Sequence, residues 1–231
     1  MIERRQQSLA KVLTKLFRAH PWHGIEIGDK APEVVPVYVE MSPTDAVKYE
    51  LDKTTGFLKV DRPQRFSAQC PSLYGLIPQT FCGAQTAAYC QEKTGRDNIQ
   101  GDEDPLDICV LSERPINRAD IILKARPIGG LRMIDGGEVD DKLIAVLEND
   151  LSYGHWRDIS DCPANMLERF EHYFLTYKEM PGAKSHQVEI THTYGREEAH
   201  EVIRRSRADY IEHFADLRDA IGRMVKPDNV A

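Results

Sequence analysis

Four carboxylates fall within six residues at Asp102, Glu103, Asp104 and Asp107, between a loop ending in Gly101 and an apolar run. If this stretch enters a strand, Asp102, Asp104 and Asp107 converge on one point, where two charges about 4 Å apart repel by roughly 4 kcal/mol at an intermediate effective dielectric. Protonation, basic neighbours or a bound cation relieve such repulsion; a solvated acidic turn avoids it. A donor set of oxygens without His or Cys selects a hard ion, Mg2+ or Ca2+, over zinc. A second acidic stretch carries Asp135, Glu138, Asp140 and Asp141 around Gly136 and Gly137, with Lys142 after it. Its flanks at 131–134 and 143–146 are strand-like, which makes it a hairpin-type connection. Two acidic loops supply the donors of a multi-metal site.

An EF-hand is the competing use of the first stretch. Counted from Asp102, Asp stands at loop positions one and three and Glu113 at position twelve. Leu106 at position five, Asp107 in place of the turn glycine, Pro105, and flanks without helical periodicity all count against it.

The elements that must position these groups read as strands upstream: 37–40, 47–51 and 57–60, with a turn at 52–56. Alternation puts Lys48 and Glu50 on one face of the middle strand and Tyr49 on the other. Lys48 and Arg62 are thus candidate anion ligands on neighbouring strands, of residue types suited to phosphate.

Together these residues resemble family I soluble inorganic pyrophosphatases. The D-x-D-P-x-D signature is met by Asp102, Asp104, Pro105 and Asp107, and K-Y-E-x-D-K by residues 48–53. V-D-R is Val60-Asp61-Arg62, Y-G is Tyr74-Gly75, D-x-x-x-x-D-x-K is Asp135, Asp140 and Lys142, and the helical Y-K pair is Tyr177-Lys178. The elements keep the family's order over residues 40–184. His20-Pro21-Trp22-His23, followed by Glu26-Ile27-Gly28, further resembles the plant-type branch.

The resemblance implies that Asp102, Asp107 and Asp140 hold one Mg2+, with Asp107 also touching a second. Asp135 and Asp140 would hold metal arriving with substrate, and Glu50 would act through metal-bound water. Lys48, Arg62, Tyr74, Tyr177 and Lys178 would hold the phosphates, with Lys142 close by and Lys184 a further addition. Asp104 would be the general base facing a water bridged by two metals. The chemistry is coherent on its own terms: a metal pair acidifies water and clamps attacking and leaving oxygens, a carboxylate accepts the proton, and cationic side chains balance the non-bridging oxygens. Two departures stand out. Cys70 occupies a position that is often Tyr in the family, and the connection at 81–100 is longer and polar, reading as a surface loop or short helix.

The 231 residues contain no Ser/Gly-rich linker or internal repeat, so residues 1–231 are expected to form one domain. The resemblance implies an α+β fold, an OB-like five-stranded β-barrel with flanking α-helices. The formal net charge of -7 argues against nucleic-acid binding despite that barrel. Five cysteines, Cys70, Cys82, Cys90, Cys109 and Cys162, lack C-x-x-C spacing and point to reduced thiols and a cytoplasmic protein; Cys109 reads as core. Residues 1–25 form an amphipathic N-terminal extension whose stripe runs from Ile2 to Phe17 beside Arg4, Arg5, Lys11, Lys15 and Arg18. A helix docked on the domain or on a neighbouring subunit is preferred over a targeting or membrane-surface segment, and no run spans a bilayer. Two helices follow downstream, with stripes through Met166, Leu167, Phe170, Phe174 and Tyr177 and through Ala199, Val202, Ile203, Tyr210, Phe214, Leu217 and Ile221. The eight histidines, His192 and His200 included, lack ligand spacing and read as surface or satisfied groups. The reading is therefore Mg2+-dependent hydrolysis of pyrophosphate to two phosphates by a homo-oligomer. The alternatives are another metal-dependent phosphohydrolase and a non-catalytic Ca2+-binding module.

Overall fold

The computed structural model describes residues 18–178 and 187–217. The amphipathic stripe of residues 2–17, Lys184 and Ile221 lie outside the described residues. In chain order the strands are β1 (Val35–Met41), β2 (Val47–Leu51), β3 (Leu58–Pro63), β4 (Leu73–Leu76), β5 (Gln100–Gly101), β6 (Asp107–Leu111), β7 (Ile121–Asp135), β8 (Glu138–Val139), β9 (Lys142–Leu147) and β10 (Val188–Gly195). The helices are α1 (Ala84–Thr94), α2 (Ala164–Thr176) and α3 (Arg196–His213).

Strands β1, β4, β6, β9 and β7 pair in that order, and the first part of β7 returns to β1, closing a ring of five strands. The 15-residue β7 makes closure possible: residues 121–125 pair with β1, the middle with β9 and the end with β10. Its pairing with β9 shifts register between Pro127 and Gly129, a bulge at a residue without an N–H, which bends the strand around the ring. The ring with helices outside it is the α+β arrangement expected from the sequence.

Strands β6 and β9 run parallel and are almost wholly buried, which explains why they read as apolar runs rather than alternating ones. Alternation still decides which helix each residue meets. Ile108, Val110, Leu143 and Ala145 pack in one cluster with Ala199, Val202 and Ile203 of α3, whereas Cys109, Ile144 and Val146 pack with Phe170, Tyr173 and Phe174 of α2. The two helical stripes predicted from the sequence thus cover opposite faces of the same strands. Gly75 marks where β4 crosses β1 closely, since a Cβ there would lie 1.9 Å from the Tyr38 carbonyl oxygen.

The connection at 81–100 is largely helix α1, with Thr86, Ala87, Tyr89 and Cys90 buried. Its N-terminus is capped from a distance. The Asp209 carboxylate of α3 accepts from the amides of Gly83, Gln85 and Thr86 at 2.9–3.0 Å, satisfying donors that a local Ser or Asp usually takes. Strand β3 begins at Leu58, and Phe57 is exposed in the turn before it. All five cysteines are buried and unbridged. No helix among the described residues is long and apolar enough to cross a membrane.

Candidate active site

Register brings the two acidic loops together. In the parallel pair β6/β9, Asp107 stands opposite Lys142, and in the antiparallel pair β4/β6, Leu76 stands opposite Asp107. The signature therefore ends at the strand position beside which the second acidic loop re-enters the ring. That loop turns at Gly136 (φ +61°) and Gly137 (φ +97°), left-handed conformations that glycine adopts without cost. In the signature itself Glu103 takes φ +60°, while the Asp102 carboxylate accepts from the Asp104 amide at 3.0 Å. A non-glycine residue held there is locally strained, and the conformation separates the side chains of Asp102 and Asp104.

The result is a cleft of roughly 220 Å³ at the end of the ring. Asp102, Asp104 and Asp107 form one wall, and Asp135, Asp140 and Lys142 another. Lys48 and Glu50 project from β2, Tyr74 from β4, and Tyr177 and Lys178 from the end of α2. Of the site residues read from the sequence and described here, only Arg62 is outside the lining. It is the register partner of Lys48 across the β2/β3 hairpin, pairs with Asp61, and lies 5.8 Å over the Tyr177 ring, so it borders the mouth. Glu40, Lys53 and Glu138 also line the cleft and were missed. A signal for Glu40 existed: it is the one carboxylate in a strand whose other residues are apolar.

Eight carboxylates and four lysines line this space, and their contacts show how the excess negative charge is handled. Lys142 is buried and its ammonium contacts both Asp107 and Asp140. Lys178 pairs with Asp135, Lys53 with Asp104, and Lys48 reaches Asp61 at 3.2 Å and Glu50 at 3.7 Å. Burial, and then the Asp140 charge, pushes the Asp102 carboxyl up to about 8. Burial followed by Asp107 does the same to Glu40, also to about 8, although Glu40 accepts from the Leu51 amide at 2.8 Å. Burial also raises Asp140, with Asp107 adding to it against the pull of Lys142. The Lys142 ammonium is nonetheless held well above its ordinary range, because Asp107 and Asp140 outweigh its desolvation.

Carboxylates kept from ionising by burial and by one another are what a hard divalent cation would relieve. The donors are all oxygens and suit such an ion. Among the described residues no three of them close around one point, and the Lys142 ammonium stands between Asp107 and Asp140. Glu113, the last EF-hand position, follows β6 and binds Asp150 through its amide at 2.7 Å. At about 3.3 Å per residue the strand carries it away from the cleft, and the segment is flanked by strands, so the EF-hand is not formed.

Cys70 does not line the cleft. It is buried beside Tyr74 in the cluster under α2, where burial pushes its thiol up to about 12. The neighbouring Tyr74 donates its hydroxyl to Asp107. Cys70→Ala is therefore expected to leave pyrophosphate turnover within about tenfold of the parent, or ~1.4 kcal/mol in the barrier, and Tyr74→Phe to be the more damaging change. Steady-state kinetics of the two variants check the order, and the reverse order would show that Cys70 contributes at the cleft.

Two further polar groups lie behind the walls. Arg132 of β7 has a fully buried side chain, 3.3 Å from Asp141 and 3.0 Å from Glu198, between the rings of Tyr89 and Tyr194 at 5.4 and 5.2 Å. Asp141, next to Asp140 in the chain, also accepts from the Tyr194 hydroxyl at 3.0 Å. Sequence reading missed this pair. It also misread His200, which is neither a surface group nor a satisfied one: it is 6% exposed, and its buried Nε2 has no hydrogen-bond partner among the described residues.

The comparisons with known proteins agree with this geometry. A family model described as inorganic pyrophosphatase matches residues 37–211. The inorganic pyrophosphatase of Chlamydia muridarum is 53% identical over 205 residues, 87% of this chain and 98% of that protein. Soluble inorganic pyrophosphatase 3 of Arabidopsis thaliana is 40% identical over 210 residues, covering 88% and 87%. The crystal structure of inorganic pyrophosphatase from Thermus thermophilus superposes with a TM-score of 0.69 at 32% identity, over 84% of this chain and 99% of that one. The matched span carries both acidic loops, the β2/β3 hairpin and the end of α2, so every wall of the cleft falls inside it, and the chain belongs to the inorganic pyrophosphatase family.

Proposed function

We propose that the cleft hydrolyses inorganic pyrophosphate to two phosphates with Mg2+ as the cation. The observation that carries this reading is the lining itself, in which an excess of carboxylates, most of them half-buried, surrounds lysines and tyrosines suited to phosphate oxygens. Family membership supports the reaction and its metal dependence; the all-oxygen donor set supports Mg2+.

Asp102, Asp107, Asp135 and Asp140 would hold the cations, with Glu50 acting through water. When bound, the metal pair lowers the pKa of water and neutralises charge on the phosphoryl groups. Asp104 accepts the proton of the attacking water, and Lys53 against its carboxylate orients it. Lys48, Arg62, Tyr177 and Lys178 bind non-bridging oxygens, with Tyr74 and Lys142 fixing Asp107 among them. Substrate binding would draw Lys142 and Lys178 off their carboxylate partners, freeing Asp107, Asp140 and Asp135 as donors. We read residues 1–231 as a single domain. Unbridged thiols support a cytoplasmic setting, and the exposed Phe57, Val60 and Phe66 offer an apolar surface for a homo-oligomer.

Activity is expected to require Mg2+ and to fall as Ca2+ competes. Ca2+ accepts bonds of about 2.3–2.6 Å and loose geometry where Mg2+ demands roughly 2.0–2.1 Å and an octahedron, so it should misplace the water and acidify it less. Phosphate release across a Mg2+ titration at fixed Ca2+ checks this; full turnover with Ca2+ alone would contradict it.

A further inference from the structure

Arginines gather a second time, away from the cleft. A cavity of roughly 380 Å³ is lined by Arg126, Arg157, Arg196, Arg204 and His200, together with Glu33, Val34 and Glu197. It shares no lining residue with the cleft. The strand β7 separates the two, with Arg126 near its start and Asp135 at its end.

The charge here is poorly compensated. Arg196 is taken by Glu197 at 2.8 Å and Arg204 by Glu201 at 2.8 Å. Neither Arg126 nor Arg157 has a carboxylate oxygen within 4 Å among the described residues, although Glu148 acts on Arg126 and Asp161 on Arg157 from farther off. Instead the Nη1 atoms of both donate to one oxygen, the Gly154 carbonyl, each at 2.8 Å, so two like charges lie a hydrogen bond's length either side of a single acceptor. Burial, and then the Arg157 charge, holds the Arg126 guanidinium below its ordinary range. Beside them the His200 ring is 6% exposed, and its buried Nε2 has no hydrogen-bond partner among the described residues. The two guanidiniums crowded on one carbonyl repel, and a bound anion relieves that repulsion. The first amide of α3 is already taken by Asp158 at 2.8 Å, so the demand comes from the side chains rather than from the helix end.

We propose that this cavity is a second anion site, taking a phosphoryl oxyanion, orthophosphate or pyrophosphate. Donors reach it from three elements, β7, the turn at 154–157 and α3. That spread suits a tetrahedral group with oxygens in several directions better than a planar carboxylate, and guanidinium forks match phosphate oxygens in pairs. His200 lines the same wall and serves as a reporter of occupancy. The site stands independently of what the cleft catalyses.

The test is a titration of the full chain in excess chelator, where metal-dependent turnover is silenced, with orthophosphate in one arm and pyrophosphate in the other. The readout is the His200 ring resonance in a histidine proton–carbon spectrum, identified by its loss in His200→Gln. A saturable shift is expected in one or both arms, and the arm that responds names the ligand. Combining Arg126→Gln with Arg157→Gln should weaken that binding by at least about tenfold, whereas Lys178→Ala, which alters the cleft, should leave it unchanged. A resonance that does not move, that titrates equally in the double variant, or that loses its shift with Lys178→Ala overturns the proposal.

Discussion

Asp104→Asn is expected to lower pyrophosphate turnover by about 10²–10⁴-fold at saturating Mg2+ and neutral pH, the share of a positioned general base. Asp107→Asn is expected to fail differently. Asp107 lies among Tyr74, Lys142 and the facing Asp140, at the centre of the charge that the cations must balance. Losing its carboxylate should weaken metal affinity, so that raising Mg2+ recovers part of the rate. Asp104 stands apart from that group, on the far side of the strained Glu103, held by Lys53. Its loss should not respond to metal, though alkaline pH should help by supplying hydroxide directly. Turnover of both variants across a Mg2+ titration, repeated at two pH values, reads the difference. If saturating Mg2+ at neutral pH restores Asp104→Asn, Asp104 is a metal ligand and the base lies elsewhere.

Arg132→Met is expected to destabilise the protein by about 3–5 kcal/mol, the effect of removing one partner from a buried ion pair. Methionine fills much of the space between Tyr89 and Tyr194 but leaves Asp141 fully buried with only neutral donors, the Tyr194 hydroxyl and the Met133 amide, and Glu198 without its guanidinium. Burial already pushes Asp141 up to about 6 against the pull of Arg132. Without the arginine the carboxyl should be protonated in the fold, and Arg132→Met combined with Asp141→Asn should recover part of the loss. Urea unfolding monitored at an unchanged m-value measures both. A single variant within about 1 kcal/mol of the parent would mean that packing, not charge, is what Arg132 supplies.

The sequence revealed the site more readily than it revealed the supports behind it. Asp102, Asp104 and Asp107 fall within six residues, and Lys48 and Glu50 share a face by alternation, while the family resemblance joins Asp135, Asp140 and Lys142 to them; the fold brings all of these to one cleft. The apolar runs, too short for helices, give strands, while their closing into a ring is implied only by the family resemblance. What spacing could not reveal depends on partners far along the chain. Helix α1 lacks a local cap because Asp209, more than a hundred residues on, provides it. Arg132 looks like an ordinary alternating charge in β7 until Asp141 and Glu198 close on it. His200 lies on the helix stripe between Ala199 and Val202, and only the fold shows that its Nε2 is buried with no hydrogen-bond partner among the described residues. Lys53 follows the β2 strand and reads as a turn residue, yet the hairpin swings it onto Asp104.

The most direct test of the account is orthophosphate release from pyrophosphate, measured with Mg2+, with Mg2+ plus excess chelator, and with a phosphate monoester in place of pyrophosphate. The account predicts two phosphates per pyrophosphate consumed with Mg2+, loss of that release in chelator, and far slower release from the monoester, which lacks the second phosphoryl group that the lysines, Arg62 and Tyr177 would engage. No release with Mg2+, release that survives the chelator, or equal turnover of the monoester would contradict it.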